Sequence, residues 1–93
     1  VSLRRLGRNA EAVASYDRAL ALRPNYAGAH ANRGVSLLEL ERPAEALQAV
    51  ERAIALDASN PDYHNIRGNI LQDLHRHREA LEAYAEVQRL EPG

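Results

Sequence analysis

The sequence contains no cysteine, methionine, tryptophan or phenylalanine. Without cysteine there is no disulfide or thiol chemistry, and the redox compartment stays open. Without the large side chains, the apolar mass is alanine and leucine with a little valine and isoleucine, and the only aromatics are Tyr16, Tyr26, Tyr63 and Tyr84. Alanine and leucine lead the helix propensity scale, and alanine lets helices approach closely. Lysine is also absent, so arginine supplies all the positive charge of a chain whose net charge is −1. The charges alternate in sign, which argues against nucleic acid as a partner, since that wants a basic stripe. No apolar run approaches the ~20 residues of a membrane span, and no signal or transit segment is visible. A soluble chain is expected, with the cytoplasm favoured and no membrane partner. Its 93 residues suit one small domain with a modest core. The chain begins at Val1 without an initiator methionine and reads as a piece of something longer.

What is present is a repeat. A shift of 34 residues lays the sequence on itself. Leu3 falls on Leu37 and Leu71, and Leu6 on Leu40 and Leu74. Glu11-Ala12-Val13 becomes Glu45-Ala46-Leu47 and then Glu79-Ala80-Leu81. Tyr16, Val50 and Tyr84 share a place, as do Leu22, Leu56 and Leu90, while His30, Arg33 and Gly34 return as His64, Arg67 and Gly68. A fixed period of this size marks an array in which each unit is one supersecondary element stacked on the next.

Within the units the spacing is helical. Gly7 is expected to end a first helical segment, and Asn9 to cap a second helix running to about Leu22. Pro24 stops that helix. Helices are expected from about Tyr26 or Ala27 to Leu40, from Pro43 through the Ala46, Leu47, Val50, Ala53 and Ile54 face, from Pro61 to Leu74, and from His77 to Leu90. Asn60-Pro61-Asp62 is a strong start signal, combining a cap, a first-turn proline and an acid near the positive helix end. Leu37, Leu47, Leu71 and Leu81 are the expected core leucines, with Gly34 at the contact between the two helices of its unit.

The pattern resembles the tetratricopeptide repeat family, whose helix-turn-helix units are 34 residues long. The places where the family has the small residues that let the two helices of a unit nest are Gly34, Ala46 and Ala53, then Gly68, Ala80 and Val87. Pro24 and Pro92 stand where the family closes a unit. The resemblance implies an all-α fold, a right-handed α-solenoid of stacked antiparallel helix pairs. The whole chain is one domain: a partial unit 1–26, a unit 27–60 and a unit 61–93. Besides a truncated first helix and the lack of a polar solvating helix after the last unit, the sequence departs from the family at four kinds of position. His30 and His64 replace a frequent tryptophan. Arg33 and Arg67 replace an apolar residue. Ala58 replaces a closing proline, and Val87 is bulkier than the usual alanine.

No constellation for catalysis appears, so an enzyme is not expected. His75-Arg76-His77 spans a turn and lacks the further ligands that a closed metal site needs. Arg76-His77-Arg78 reads the same way, as a solvated turn. His30 and His64 are expected to pack with one ring nitrogen hydrogen-bonded. Glu39 with Glu41, and Glu79 with Glu82, have no pocket to perturb them. No cofactor is expected.

The function then lies in surface shape. In such arrays the first helices line a concave side that takes extended partners. The stripe there is Gly28, Ala31, Val35 and Leu38, then Asp62, Asn65, Asn69 and Gln72, flanked by Asn32, Glu39, Ile66 and Asp73. Asn32, Asn65, Asn69 and Gln72 can donate to and accept from a peptide backbone, while Ala31, Val35 and Leu38 offer an apolar floor. The family's clamp for C-terminal carboxylates uses lysine, arginine and asparagine on these stripes. Gly28, Ala31 and Val35 do not supply it, and Asp62 opposes it. The family member that glycosylates proteins on serine and threonine also lines its groove with asparagine, a likeness that Asn32 shares and Ile66 does not. The expectation is a protein-interaction module or scaffold with a protein or peptide partner. The alternatives are a structural spacer, a self-association segment that makes a homo-oligomer through exposed repeat ends, or the substrate-presenting arm of a larger enzyme such as a glycosyltransferase.

Overall fold

The computed structural model describes residues 3–91, with side chains from Gly7 onward. It contains five helices: α1 Leu3–Leu22, α2 Ala27–Glu39, α3 Pro43–Leu56, α4 Pro61–Asp73 and α5 His77–Leu90. No strand occurs among the described residues. Each helix packs on the next in the chain, and α2 also touches α4. The second helices α1, α3 and α5 do not touch one another. The layers therefore fan open on the second-helix side and close on the first-helix side, where α2 and α4 meet.

The starts and stops follow the sequence chemistry. The Asn60 side chain accepts a hydrogen bond from the Asp62 backbone N–H at 2.9 Å, with Pro61 in the first turn of α4. This satisfies one of the four amides that a helix start leaves unpaired. The ends of α2 and α4 are twins. Glu41 and His75 take left-handed backbone angles, φ 61° and 60°. The Glu41 N–H donates to the Leu38 carbonyl and the Arg42 N–H to the Leu37 carbonyl, at 3.0 and 2.9 Å. His75 and Arg76 do the same toward Gln72 and Leu71, at 3.0 and 2.9 Å. Paired bonds of this kind wrap up a helix C-terminus around one left-handed residue. Arg42 and Arg76 then open α3 and α5 by gripping Glu45 and Glu79 through two nitrogens each. The Arg76 guanidinium holds the Glu79 carboxyl below its ordinary range.

The N-terminal expectation fails. Gly7 stands one repeat before Glu41, yet it has no positive φ and α1 passes through it unbroken. Only Leu3–Leu6 precedes Gly7 in this helix. No described group outside the helix comes within 4 Å of a Cβ placed on Gly7, so nothing packs there to favour a reversal, and a formed helix propagates readily. Asn9 accordingly caps nothing. It lies inside α1, and its amide nitrogen donates to a Glu39 carboxylate oxygen at 2.7 Å.

The core joins Leu37, Ala46, Leu47, Ala49, Val50, Ile70, Leu71, Ala80 and Ala83. A Cβ placed on Gly34 would sit 3.1 Å from the Ala46 carbonyl oxygen and 3.6 Å from the Val50 Cβ. Glycine is thus what lets α2 lie on α3. Gly68 meets a ring instead, for a Cβ there would fall 2.6 Å from Tyr84 Cε1. Leu81 is not core. It is 69% exposed, whereas Leu47, its equivalent one unit earlier, is 7% exposed. The helix that follows α3 packs against it, and no described element packs on the outer face of α5. The Ala12, Tyr16 and Ala19 face of α1 is half-buried.

Candidate partner-binding groove

The first-helix side is built by α2 and α4, whose contact brings two parallel stripes together. Residues three and four apart share a helix face, so Gly28, Ala31, Asn32, Val35, Leu38 and Glu39 line one stripe. Asp62, Asn65, Ile66, Asn69, Gln72 and Asp73 line the other.

The two stripes differ from the sequence reading in detail. Asn32, Asn65 and Gln72 are exposed, and no hydrogen bond occupies their amides. Val35 and Leu38 are half-buried, so part of each side chain remains open as floor. Ala31 is only 1% exposed and cannot receive a partner's side chain. A methyl group at the contact of two helices is covered by its neighbours, which helical spacing alone does not reveal. Asn69 is exposed but engaged, because the Tyr84 hydroxyl donates to its amide oxygen at 2.6 Å. Its NH₂ group is free for a partner, while its oxygen is already shared with the tyrosine. Gly28 is roofed by two rings, since a Cβ there would lie 3.2 Å from Tyr26 Cε1 and 3.9 Å from the Tyr63 hydroxyl. Tyr63 also packs against the core cluster.

The arginine and histidine departures turn out to be joints. Arg33 donates to Asp17 at 2.6 Å, and Arg67 lies 3.5 Å from Glu51. Each pair links the first helix of one unit to the second helix of the unit before. The acid at 17 recurs at 51, and that recurrence was the sequence signal for the joint. His30 Nε2 donates to the Pro24 carbonyl at 2.9 Å and His64 Nε2 to the Ala58 carbonyl at 2.8 Å. The expected single-nitrogen hydrogen bond is thus present at both histidines. It tethers the first helix to the loop before it, whether or not that loop carries proline.

His75 and His77 meet edge to face with centroids 6.0 Å apart. No group of three or more histidine, aspartate or glutamate side chains among the described residues could hold a metal ion. A pocket of about 340 Å³ lies between α3 and α4, lined by Glu51, Ile54, Ala55, His64 and Arg67, none of which belongs to the two stripes. Its polar members are those already used by the unit joint. No described helix is long and apolar enough to cross a membrane.

A layered set of antiparallel helix pairs with a 34-residue period and small residues at five of the six nesting points, Gly34, Ala46, Ala53, Gly68 and Ala80, defines a helical-repeat protein. The chain belongs to the tetratricopeptide repeat family, whose profile matches residues 1–64. Solved structures agree. The first repeat domain of Spaghetti (RPAP3), bound to HSP90 peptide SRMEEVD, is 28% identical with a TM-score of 0.90, over 94% of this chain and 69% of that one. The second such domain, bound to the same peptide, is 29% identical with a TM-score of 0.87, over 91% and 79%. MamA 41-end from Desulfovibrio magneticus RS-1 is 27% identical with a TM-score of 0.84, over 97% of this chain and 51% of that one. The chain thus spans about half the length of the MamA structure. A comparison with curated proteins gave no match. The family is one of interaction scaffolds and is generally not enzymatic.

Proposed function

We propose that this chain is a protein-interaction module that holds an extended peptide along the α2 and α4 stripes. The observation that carries the reading is the set of free, exposed amides at Asn32, Asn65 and Gln72 beside the half-open Val35 and Leu38. An amide side chain can pair with a peptide backbone of any sequence. The RPAP3 domains, solved with a peptide, support the use of this fold for such a partner. Each amide bond contributes only ~0.5–1.5 kcal/mol net. Single substitutions should therefore weaken binding severalfold, and Asn32→Ala, Asn65→Ala and Gln72→Ala together much more. The triple variant should stay folded, because these side chains lie outside the core. A binder selected from a peptide display library and titrated by fluorescence anisotropy supplies the test. If the triple variant binds normally while Arg52→Ala with Glu82→Ala on the second helices does not, the working surface is not the groove.

A second reading is favoured by the exposure of Leu81 on the uncovered face of α5. Exposed apolar surface tends to find a partner. Two chains meeting at their repeat ends would form a dimer or a continuing stack, according to whether the symmetry closes.

A further inference from the structure

The α4 stripe begins and ends in carboxylates. Asp62 and Asp73 are both exposed, and no hydrogen bond or ion pair engages either side chain. They stand three turns apart, about 16 Å along the axis. Three full turns return a helix close to the same face, so the two acids and the amides of Asn65 and Asn69 form one line. No basic residue interrupts it. The arginines of α2 and α4 point elsewhere, Arg33 to Asp17 and Arg67 to Glu51. The turn arginines Arg42 and Arg76 are held by Glu45 and Glu79.

Asp73 is the more telling of the two. It is the last residue of α4, whose final turn holds no basic side chain. Helix dipoles disfavour a carboxylate there. The equivalent acid one unit earlier, Glu39, receives an N–H from Asn9 of the preceding helix. At Asp73 the same helix position carries a carboxylate with no donor brought to it. Asp62 suits its helix start, but its charge is equally unspent on any side chain.

We infer that the groove selects an extended peptide bearing two cationic side chains, placed to reach Asp62 and Asp73 while its backbone meets the amides between them. An extended strand advances about 3.3 Å per residue, and side chains an even number of residues apart share a face. Lysines or arginines four residues apart thus lie about 13 Å apart, and their flexible stems cover the rest of the span. The inference rests on the groove reading above and adds the chemical class of its occupant. It also implies that an acidic tail is repelled, because like charges set against each other suppress wrong partners.

The test uses the whole chain and three labelled seven-residue peptides. They are alike except at their second and sixth positions, which hold lysine, glutamine or glutamate. Fluorescence anisotropy at low salt should show the lysine peptide binding about tenfold more tightly than the glutamate peptide, with glutamine between them. The preference should shrink at physiological salt, as exposed charges are screened. In the Asp62→Asn, Asp73→Asn double variant it should fall to about twofold or less, while circular dichroism stays that of the parent. Equal affinity for all three peptides overturns the charge selection and leaves the groove reading standing. A lysine preference that survives in the double variant overturns it as well, and places the acidic surface elsewhere. Failure of every peptide to bind at millimolar concentration overturns both.

Discussion

The units 27–60 and 61–93 carry the same pattern in different surroundings, and the difference shows how burial is assigned in a stacked array. Leu47 and Leu81 occupy the same turn of the same helix type. The first is 7% exposed because α4 follows it, and the second is 69% exposed because no described helix does. Val50 is wholly buried, and its backbone nitrogen would lie 3.5 Å from a Cβ placed on Gly34 of α2. At the matching place Tyr84 lays its ring over Gly68 and reaches out to Asn69. Ala53 is wholly buried and its counterpart Val87 is half-exposed. Each layer thus obtains part of its core from its neighbour, as expected of a quasi-one-dimensional fold.

The sharpest way to break this comparison is to cut the same leucine in both units. Leu47→Ala should cost about 2–4 kcal/mol, the range for removing a buried leucine. Leu81→Ala, at an exposed site, should stay within about 0.5 kcal/mol. Chemical denaturation of dilute protein measures both. Leu81→Ala should instead weaken any concentration-dependent association seen by sedimentation. Equal losses of stability would mean that Leu81 is covered in the monomer and that the two ends of the array are alike.

The nesting glycine comes next. The group facing Gly34 is the Ala46 carbonyl, 3.1 Å from the position of a Cβ, and backbone does not swing aside. Gly34→Leu should therefore cost about 1–3 kcal/mol by overpacking, although leucine favours helix. At Gly68 the closest group is the Tyr84 ring. There Gly68→Leu must turn the tyrosine and break its bond to Asn69, so the loss of the Tyr84 hydrogen bond accompanies the loss of stability. A thermal melt in which Gly34→Leu matches or exceeds the parent would show that α2 and α3 do not pack as described.

Much of this architecture was legible in the residues. The period set the unit, Asn60-Pro61-Asp62 set the start of α4, and Leu37 and Leu71 are wholly buried in the core. These are local signals, or signals repeated at a fixed offset. Three features were not legible, for one physical reason. The exposure of Leu81, the burial of Ala31 and the continuation of α1 through Gly7 each depend on which neighbour is present, and the period cannot say that. For the groove, the amide positions were visible and their partners were not. Nothing in the spacing alone shows that Tyr84 takes the oxygen of Asn69. Arg33 and Arg67 depart from the family pattern by replacing an apolar residue, and their partners, Asp17 and Glu51, lie on the preceding unit, where spacing within one unit does not show them.

The smallest expected effect concerns the helix ends and joins all three units. Glu41 and His75 hold left-handed backbone with φ near 60°, which costs a residue with a Cβ about 1–2 kcal/mol where nothing compensates. Gly7, the residue best suited to that conformation, stands at the equivalent place and does not adopt it. Glu41→Gly and His75→Gly should therefore stabilise the chain. The gain should reach at most ~1 kcal/mol each, because glycine also raises the conformational entropy of the unfolded state. Neither side chain is buried, and the ring contact given up is the exposed one between His75 and His77. The exchange of Gly7 should show no such gain, and Gly7→Ala should raise stability slightly by favouring the continuous α1. Opposite signs at equivalent positions, read from denaturation midpoints, are the expected result. If Gly7→Ala destabilised the chain as an alanine does at a left-handed site, the first unit would turn at Gly7 as the others turn at Glu41 and His75, and α1 would be two helices.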